Sequence, residues 1–142
     1  DRILLCRRAI EPRLGWWTLP AGFMENGETT AAAAARETEE EACAALGPLT
    51  PFAMVSVPHI HQVHLFYRGE IIDGQHGAGE ESLETQLFTA SEIPWPEIAF
   101  RSVSYCLQRF LEDRERGSFG FHTTDLQPLP EPLAGISPPA KS

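Results

Sequence analysis

Apolar and polar positions follow two rhythms along this chain, one of period two and one close to 3.6, and these mark out its elements. Residues 3–6 (ILLC) form a short apolar run ending in Arg7 and Arg8, which predicts a buried strand entering a polar loop over 9–15. Residues 49–57 and 63–72 read as two further strands, the second alternating only in part, and 83–88 as another beyond the glycine-rich turn 74–79. The helical rhythm occurs twice. From Thr30 an alanine-rich run contains no Gly or Pro until Gly47, so a helix is predicted with Thr29 or Thr30 capping its start, Leu46 near its end and Gly47-Pro48 as its stop. Residues 98–116 carry Phe100, Val103, Leu107, Phe110 and Leu111 on one stripe, with Gly117 as terminator, after Pro94 and Pro96 have broken the chain around Trp95. Strands before, between and after two helices predict an α/β sandwich with a mixed sheet. Beyond His122 the pattern stops: Pro128, Pro130, Pro132, Pro138 and Pro139 leave little to pack, so 123–142 reads as a tail following a domain of residues 1–122.

A length of 142 residues with 42% apolar content suits one globular domain. The net charge of −9 and pI near 4.9 argue against a nucleic-acid or anionic-membrane surface. There is no signal peptide and no apolar run long enough to span a bilayer, and a cytoplasmic location is expected. Cys6, Cys43 and Cys106 are odd in number and form no CxxC pair, so neither a disulfide framework nor a zinc site is indicated. The chain opens at Asp1 in what reads as mid-strand, which suggests a trimmed fragment.

The chemistry concentrates in the first helix. Glu37, Glu40 and Glu41 stand at i, i+3 and i+4, which confines them to an arc of roughly 100°, while Glu39 points the other way. Clustered carboxylates repel one another unless a cation or strong donors offset the repulsion. Oxygen-only ligands select a hard ion, and magnesium fits because it is held by a few carboxylates together with waters and phosphate oxygens. Arg36 sits beside Glu37 and can orient it, while Gly22 and Gly27 allow the bends that bring Glu28 near the helix start. The competing reading is a solvated acidic face. It gives no reason for the Gly22, Glu28 and Arg36 spacing, and such a face is normally interleaved with lysines, of which this chain has one, Lys141.

The stretch from Gly22 to Ala44 resembles the signature of the Nudix hydrolases: Gly, five residues, Glu, seven residues, then Arg-Glu-aliphatic-any-Glu-Glu-any-Gly-aliphatic. Gly22, Glu28, Arg36, Glu37, Glu40 and Glu41 occupy its loop-forming and charged positions, whereas Thr38 and Ala44 replace aliphatics and Cys43 replaces the glycine. The resemblance implies a Nudix-type α/β/α sandwich with a mixed β-sheet, here without the strand that usually precedes residues 3–6. It implies metal ligation by Glu37, Glu40 and Glu41 with Mg²⁺, for which Mn²⁺ can substitute, and a supporting role for Glu28 and the Gly22 loop. In such enzymes a distal glutamate completes the site or acts as base. Residues 79–84 (GEESLE) are similar to that segment, so Glu81 is the first candidate and Glu84 the second. Proton abstraction then falls to Glu37 or Glu81, with Arg36 orienting Glu37.

Residues 2–122 further resemble the subgroup of ADP-ribose, NADH and FAD pyrophosphatases, many of which carry a zinc ribbon ahead of the Nudix domain that this sequence lacks. The implied reaction is hydrolysis of the pyrophosphate of a nucleoside diphosphate linked to another moiety, giving two phosphate monoesters. The expected partner is a nucleotide-sugar or dinucleotide substrate, and a homodimer is expected. The alternatives are a nucleoside triphosphate pyrophosphohydrolase, which would release pyrophosphate, and a non-catalytic nucleotide-binding regulator, whose mark would be loss of a metal glutamate.

Further candidates surround this constellation. Trp17, Phe23 and Trp95 are loop aromatics on which a base could stack, with core filling as the competing reading for Trp17. Arg7, Arg8 and Arg13 could meet phosphate or the distal half of a substrate. Of His59, His61 and His64, only the first two would share a strand face, and no Cys or carboxylate nearby completes a zinc tetrahedron. His59 is therefore taken as a substrate contact, against a structural histidine as the simpler alternative.

Overall fold

The computed structural model describes residues 1–129; the part of the predicted tail over 130–142 lies outside the described residues. Chain order is β1 (Ile3–Arg8), β2 (Trp17–Thr18), α1 (Thr30–Ala42), β3 (Thr50–Val57), β4 (Gln62–Arg68), β5 (Ser82–Phe88), α2 (Arg101–Arg116) and β6 (His122–Asp125). They form two three-stranded sheets. One, ordered β2-β1-β5, is antiparallel throughout, and the other, ordered β4-β3-β6, is mixed because β6 runs parallel to β3.

The stripe read on the second helix supplies the packing that joins the sheets. Val103 and Leu107 are buried against Leu5, Trp17 and Phe88 of the first sheet, while Cys106 is buried against Phe52 and Ala53 of the second, with Phe110 packed alongside. One helix thus contributes to both apolar clusters. Gly117 closes α2 in the left-handed conformation at φ 79°, as its position predicts. The first helix packs against β4 and β5, one strand from each sheet. No helix among the described residues is long and apolar enough to cross a membrane.

Three local expectations are corrected. The first helix does not run on to Leu46 but ends at Ala42, because Cys43 adopts the left-handed cap conformation (φ 49°) and its N–H closes on the Glu39 carbonyl. The strand expected over 63–72 stops at Arg68, and Ile71 makes only an isolated bridge to Leu46. Residues 123–125, assigned by composition to the tail, are part of β6 and pair with Met54, Val55 and Ser56.

That last strand is anchored by a buried carboxylate. Asp113 is fully buried near the end of α2 and accepts from His122 Nε2 at 2.7 Å, from the Gly120 N–H at 2.9 Å and from Arg116 Nη2. The His122 hydrogen bond, followed by that of Gly120, holds the Asp113 carboxyl below its usual range of 3.8. A group with a depressed folded pKa contributes stability that is present above its unfolded pKa and lost as pH falls through the folded value. Asp113→Asn is therefore expected to lower Tm at neutral pH by at least about 5 °C. The gap from wild type should close on acidification below 3.8, as followed by calorimetry.

Candidate functional site

The site is built from the start of α1 upward. The Thr29 hydroxyl accepts the Ala32 N–H at 3.1 Å and caps the helix, and the Thr30 hydroxyl meets the Tyr67 hydroxyl of β4, which ties this end to the second sheet. With the helix start set, its phase places Glu37 and Glu41 one above the other. The incoming loop folds back onto that face. A Cβ on Gly22 would overlap the Glu37 carboxylate, and the Ala21 N–H donates to Glu41 Oε1 at 3.3 Å. Glycine here lets the loop backbone lie against that carboxylate, which a larger residue would push aside.

Arg36 is the hub of the cluster. Its Nε and Nη2 fork onto the two Glu28 oxygens at 2.6 and 3.0 Å, and Nη2 also donates to the Phe23 carbonyl at 3.1 Å. Nη1 reaches Glu37 Oε1 at 2.8 Å and both Glu40 oxygens at 3.3 Å. Glu25, which drew no attention in the sequence, adds a carboxylate 3.6 Å from the same nitrogen. The Arg36 hydrogen bonds, and then that of the Glu25 N–H, hold the Glu28 carboxyl below its ordinary range, and Glu28 in turn pushes the Arg36 guanidinium further up. Glu28 therefore acts on the cluster through Arg36 rather than beside Glu37.

Glu41 lies in the opposite electrostatic environment. Burial, then the hydrogen bond it shares with Glu37, and then the charges of Glu37 and Glu81 push its carboxyl up to about 8. Glu81, on the turn that precedes β5, is near enough for its charge to act on Glu41. The Glu40 carboxylate is turned to Arg36 instead. Among the described residues no three His, Cys, Asp or Glu side chains already converge as a metal-binding group.

The remaining expectations fare unequally. Glu84 is the cross-strand partner of Arg7, whose Nη1 holds its carboxylate at 2.6 Å, so it is removed from the helix cluster by strand register. Trp17 is buried edge-on against Phe88 and has no open face for a base, which corrects its assignment as a substrate contact. Phe23 is 79% exposed beside Arg36 and keeps its candidacy. Arg8 donates to the Pro12 carbonyl at 2.6 Å and lies over the Phe100 ring, a contact that holds its own loop. His59 and His61 lie on a 3-10 turn and at its cap instead of on a strand, and among the described residues no hydrogen bond or ion pair links His59 to the carboxylates. His64 is a structural histidine bonded to Ser102 at 2.9 Å and Gln62 at 2.8 Å.

The glutamate arc, its arginine hub and the glycine backed onto Glu37 lie on the helix and loop that carry the signature, and the NUDIX domain family matches residues 1–108. The chain belongs to the Nudix family. It is 30% identical to an ADP-ribose pyrophosphatase of Methanocaldococcus jannaschii over 70% of this chain and 60% of that protein. It is likewise 30% identical to the uncharacterised Nudix hydrolase YvcI of Bacillus subtilis over 92% of this chain and 64% of that one. The chain thus spans somewhat under two thirds of the length of these curated relatives. Among solved structures, a NUDIX hydrolase from Nitrosomonas europaea is similar with a TM-score of 0.82 and 46% identity, over 89% of this chain and 73% of that one. Nudix hydrolases generally use divalent metals.

The donor set of this Nudix chain fits such an ion. Glu37 and Glu41 stand one turn apart on the same helical face, and the proton that Glu41 retains, with its carboxyl pushed up to about 8, is one that a divalent cation would displace. Glu40 is 58% exposed and free to turn from Arg36 toward them. The pH dependence follows in sign. A folded pKa raised from 4.5 to about 8 gives stability that is fully present below 4.5 and lost as pH rises through about 8. In EDTA, Tm should therefore fall between about pH 5 and about pH 9. The rise in Tm on adding Mg²⁺ or Mn²⁺ should be larger at the higher pH, where no proton competes. Scanning fluorimetry of wild type and Glu41→Gln checks this, because the variant should lose the pH-dependent part.

Proposed function

We propose that this chain hydrolyses the pyrophosphate bond of a nucleoside diphosphate linked to another moiety, of the ADP-ribose, FAD or NADH type, to give two phosphate monoesters. The observation that carries the reading is the pair Glu37 and Glu41 on one helical face, with the Arg36 fork behind Glu37 and the Gly22 loop backbone against both. Glu37 and Glu41, joined by Glu40 and Glu81, would hold Mg²⁺, or Mn²⁺ in its place. When bound, the ion lowers the pKa of the attacking water and offsets charge gathering on the phosphoryl oxygens. Glu81 then takes the water's proton, with Glu37 as the alternative base. Arg36 prevents Glu37 from rotating out of line, and Gly22 keeps the loop backbone against that carboxylate. Phe23 offers an exposed ring for the base. ADP-ribose pyrophosphatase is the name of one relative, which favours ADP-ribose for the first assay. A homodimer is the proposed assembly, checked by light scattering.

The test is chromatography of products from ADP-ribose, FAD, NADH and nucleoside triphosphates with Mg²⁺ or EDTA. ADP-ribose should yield AMP and a ribose phosphate with Mg²⁺ and nothing in EDTA. Turnover unchanged by the chelator would sink the mechanism, and pyrophosphate release from a triphosphate alone would replace the substrate class.

A further inference from the structure

The turn that carries Glu81 is fastened to the helix at both ends, and the two fasteners share one atom. Gly79 and Ser82 close a β-turn, with the Ser82 N–H donating to the Gly79 carbonyl at 3.2 Å and Glu80 and Glu81 as its two central residues. The Gly79 N–H donates to the Glu41 carbonyl at 3.1 Å, and the Ser82 hydroxyl donates to the same oxygen at 2.8 Å. Gly77 adds a bond from its N–H to the Ala42 carbonyl at 2.8 Å. Carbonyls at a helix C-terminus have no partner within the helix, so they are free to receive these donors. Gly79 lies flush on the helix, since a Cβ there would overlap the Glu40 carbonyl oxygen. From the other side, the Ala9 N–H holds the Glu81 carbonyl at 3.1 Å.

We propose that Gly79 and Ser82 are positioning residues that set the Glu81 carboxylate relative to the helix glutamates by clasping its turn to the backbone carbonyl of Glu41. This rests on the reading of Glu81 given above. The clasp refers the distal carboxylate to the backbone of one of the residues it works with, so a shift of the helix end carries Glu81 along. Gly79→Ala must lift the turn off the helix, and Ser82→Ala removes one of the two donors on the Glu41 oxygen while leaving a compact side chain.

The experiment measures kcat and KM on ADP-ribose, and Mn²⁺ affinity from the electron paramagnetic resonance signal of free Mn²⁺. It compares wild type with Gly79→Ala, Ser82→Ala, Ser82→Thr, Glu81→Gln and the Gly79→Ala/Glu81→Gln double variant. Gly79→Ala should lower kcat about a hundredfold with KM little changed, and Mn²⁺ affinity should fall about tenfold in both Gly79→Ala and Ser82→Ala. Ser82→Thr, which keeps the hydroxyl, should restore it. The double variant should be no worse than Glu81→Gln, because a misplaced carboxylate and an absent one cost the same thing. A crippled Glu81→Gln beside wild-type Gly79→Ala and Ser82→Ala would overturn the clasp and leave the assignment of Glu81 standing. A wild-type Glu81→Gln would remove that assignment and the clasp with it. Losses that multiply in the double variant would show that Gly79 acts through something other than Glu81 and would also overturn the proposal. Should Gly79→Ala fail to fold, the Ser82 pair decides alone: Mn²⁺ affinity unchanged in Ser82→Ala rejects the clasp.

Discussion

Glu41→Gln is expected to lower kcat on ADP-ribose at least about a hundredfold, or about 2.7 kcal/mol of barrier at about 1.36 kcal/mol per decade. Glu39→Gln should leave kcat within about twofold of wild type. The two residues differ by two positions on the same helix, and helical phase alone separates them. Glu41 is half-buried, accepts the Ala21 N–H, shares a hydrogen bond with Glu37 and feels the charge of Glu81. Glutamine preserves its shape and can still accept from Ala21, so the fold should survive, but it brings no charge with which to hold a cation between itself and Glu37. Glu39 is exposed, and its side chain borders a shallow hollow with Cys43, Ala45 and Ile72 on another side of the helix. Steady-state kinetics at saturating Mg²⁺ are the measurement. If Glu39→Gln were as damaging as Glu41→Gln, the carboxylate arc would not be the site.

Arg36→Lys is expected to be nearly as costly, with kcat reduced about a hundredfold in spite of the conserved charge. The arginine fork engages both Glu28 oxygens while its remaining nitrogen holds Glu37 and Glu40. An ammonium is a point charge on a flexible stem and cannot reach these partners in the same geometry. Glu37 would then be free to swing away from Glu41, and Glu25, Glu28, Glu37 and Glu40 would repel one another with less to offset them. Kinetics paired with a Mn²⁺ titration would check this. Retention of wild-type kcat in Arg36→Lys would mean that the charge is sufficient and the fork is not needed.

Several parts of this site could be read from the chain because they depend on residues a few positions apart. The alanine run makes the helix, the i, i+3, i+4 spacing puts three carboxylates on one arc, and Thr29 can cap only the helix that follows it. Gly117 likewise terminates the helix it adjoins. Other assignments failed where a distant group intervened. Cys43 has no local reason to end α1 in a left-handed conformation; just before it, the carbonyls of Glu41 and Ala42 are taken by the turn at Gly77, Gly79 and Ser82. Residues 123–125 looked like part of a proline-rich tail until β3 supplied a parallel partner and Asp113 a buried anchor for His122.

The choice between Glu81 and Glu84 could not be made from a segment in which both stand near glycines. Strand register sets them apart, by placing Glu84 opposite Arg7 and leaving Glu81 on the turn bonded to the helix end, which favours Glu81. Trp17 could as well have faced a ligand as the core until Phe88 closed over it. The sequence by itself therefore determined the helix, its carboxylate arc and the arginine beside it, since backbone periodicity and propensity act over a single turn. Tertiary structure alone decided where that helix stops, which of the two glutamates is tied to a strand partner and which aromatic remains open. Each of those outcomes depends on hydrogen-bond donors and apolar faces that only chain folding brings within reach.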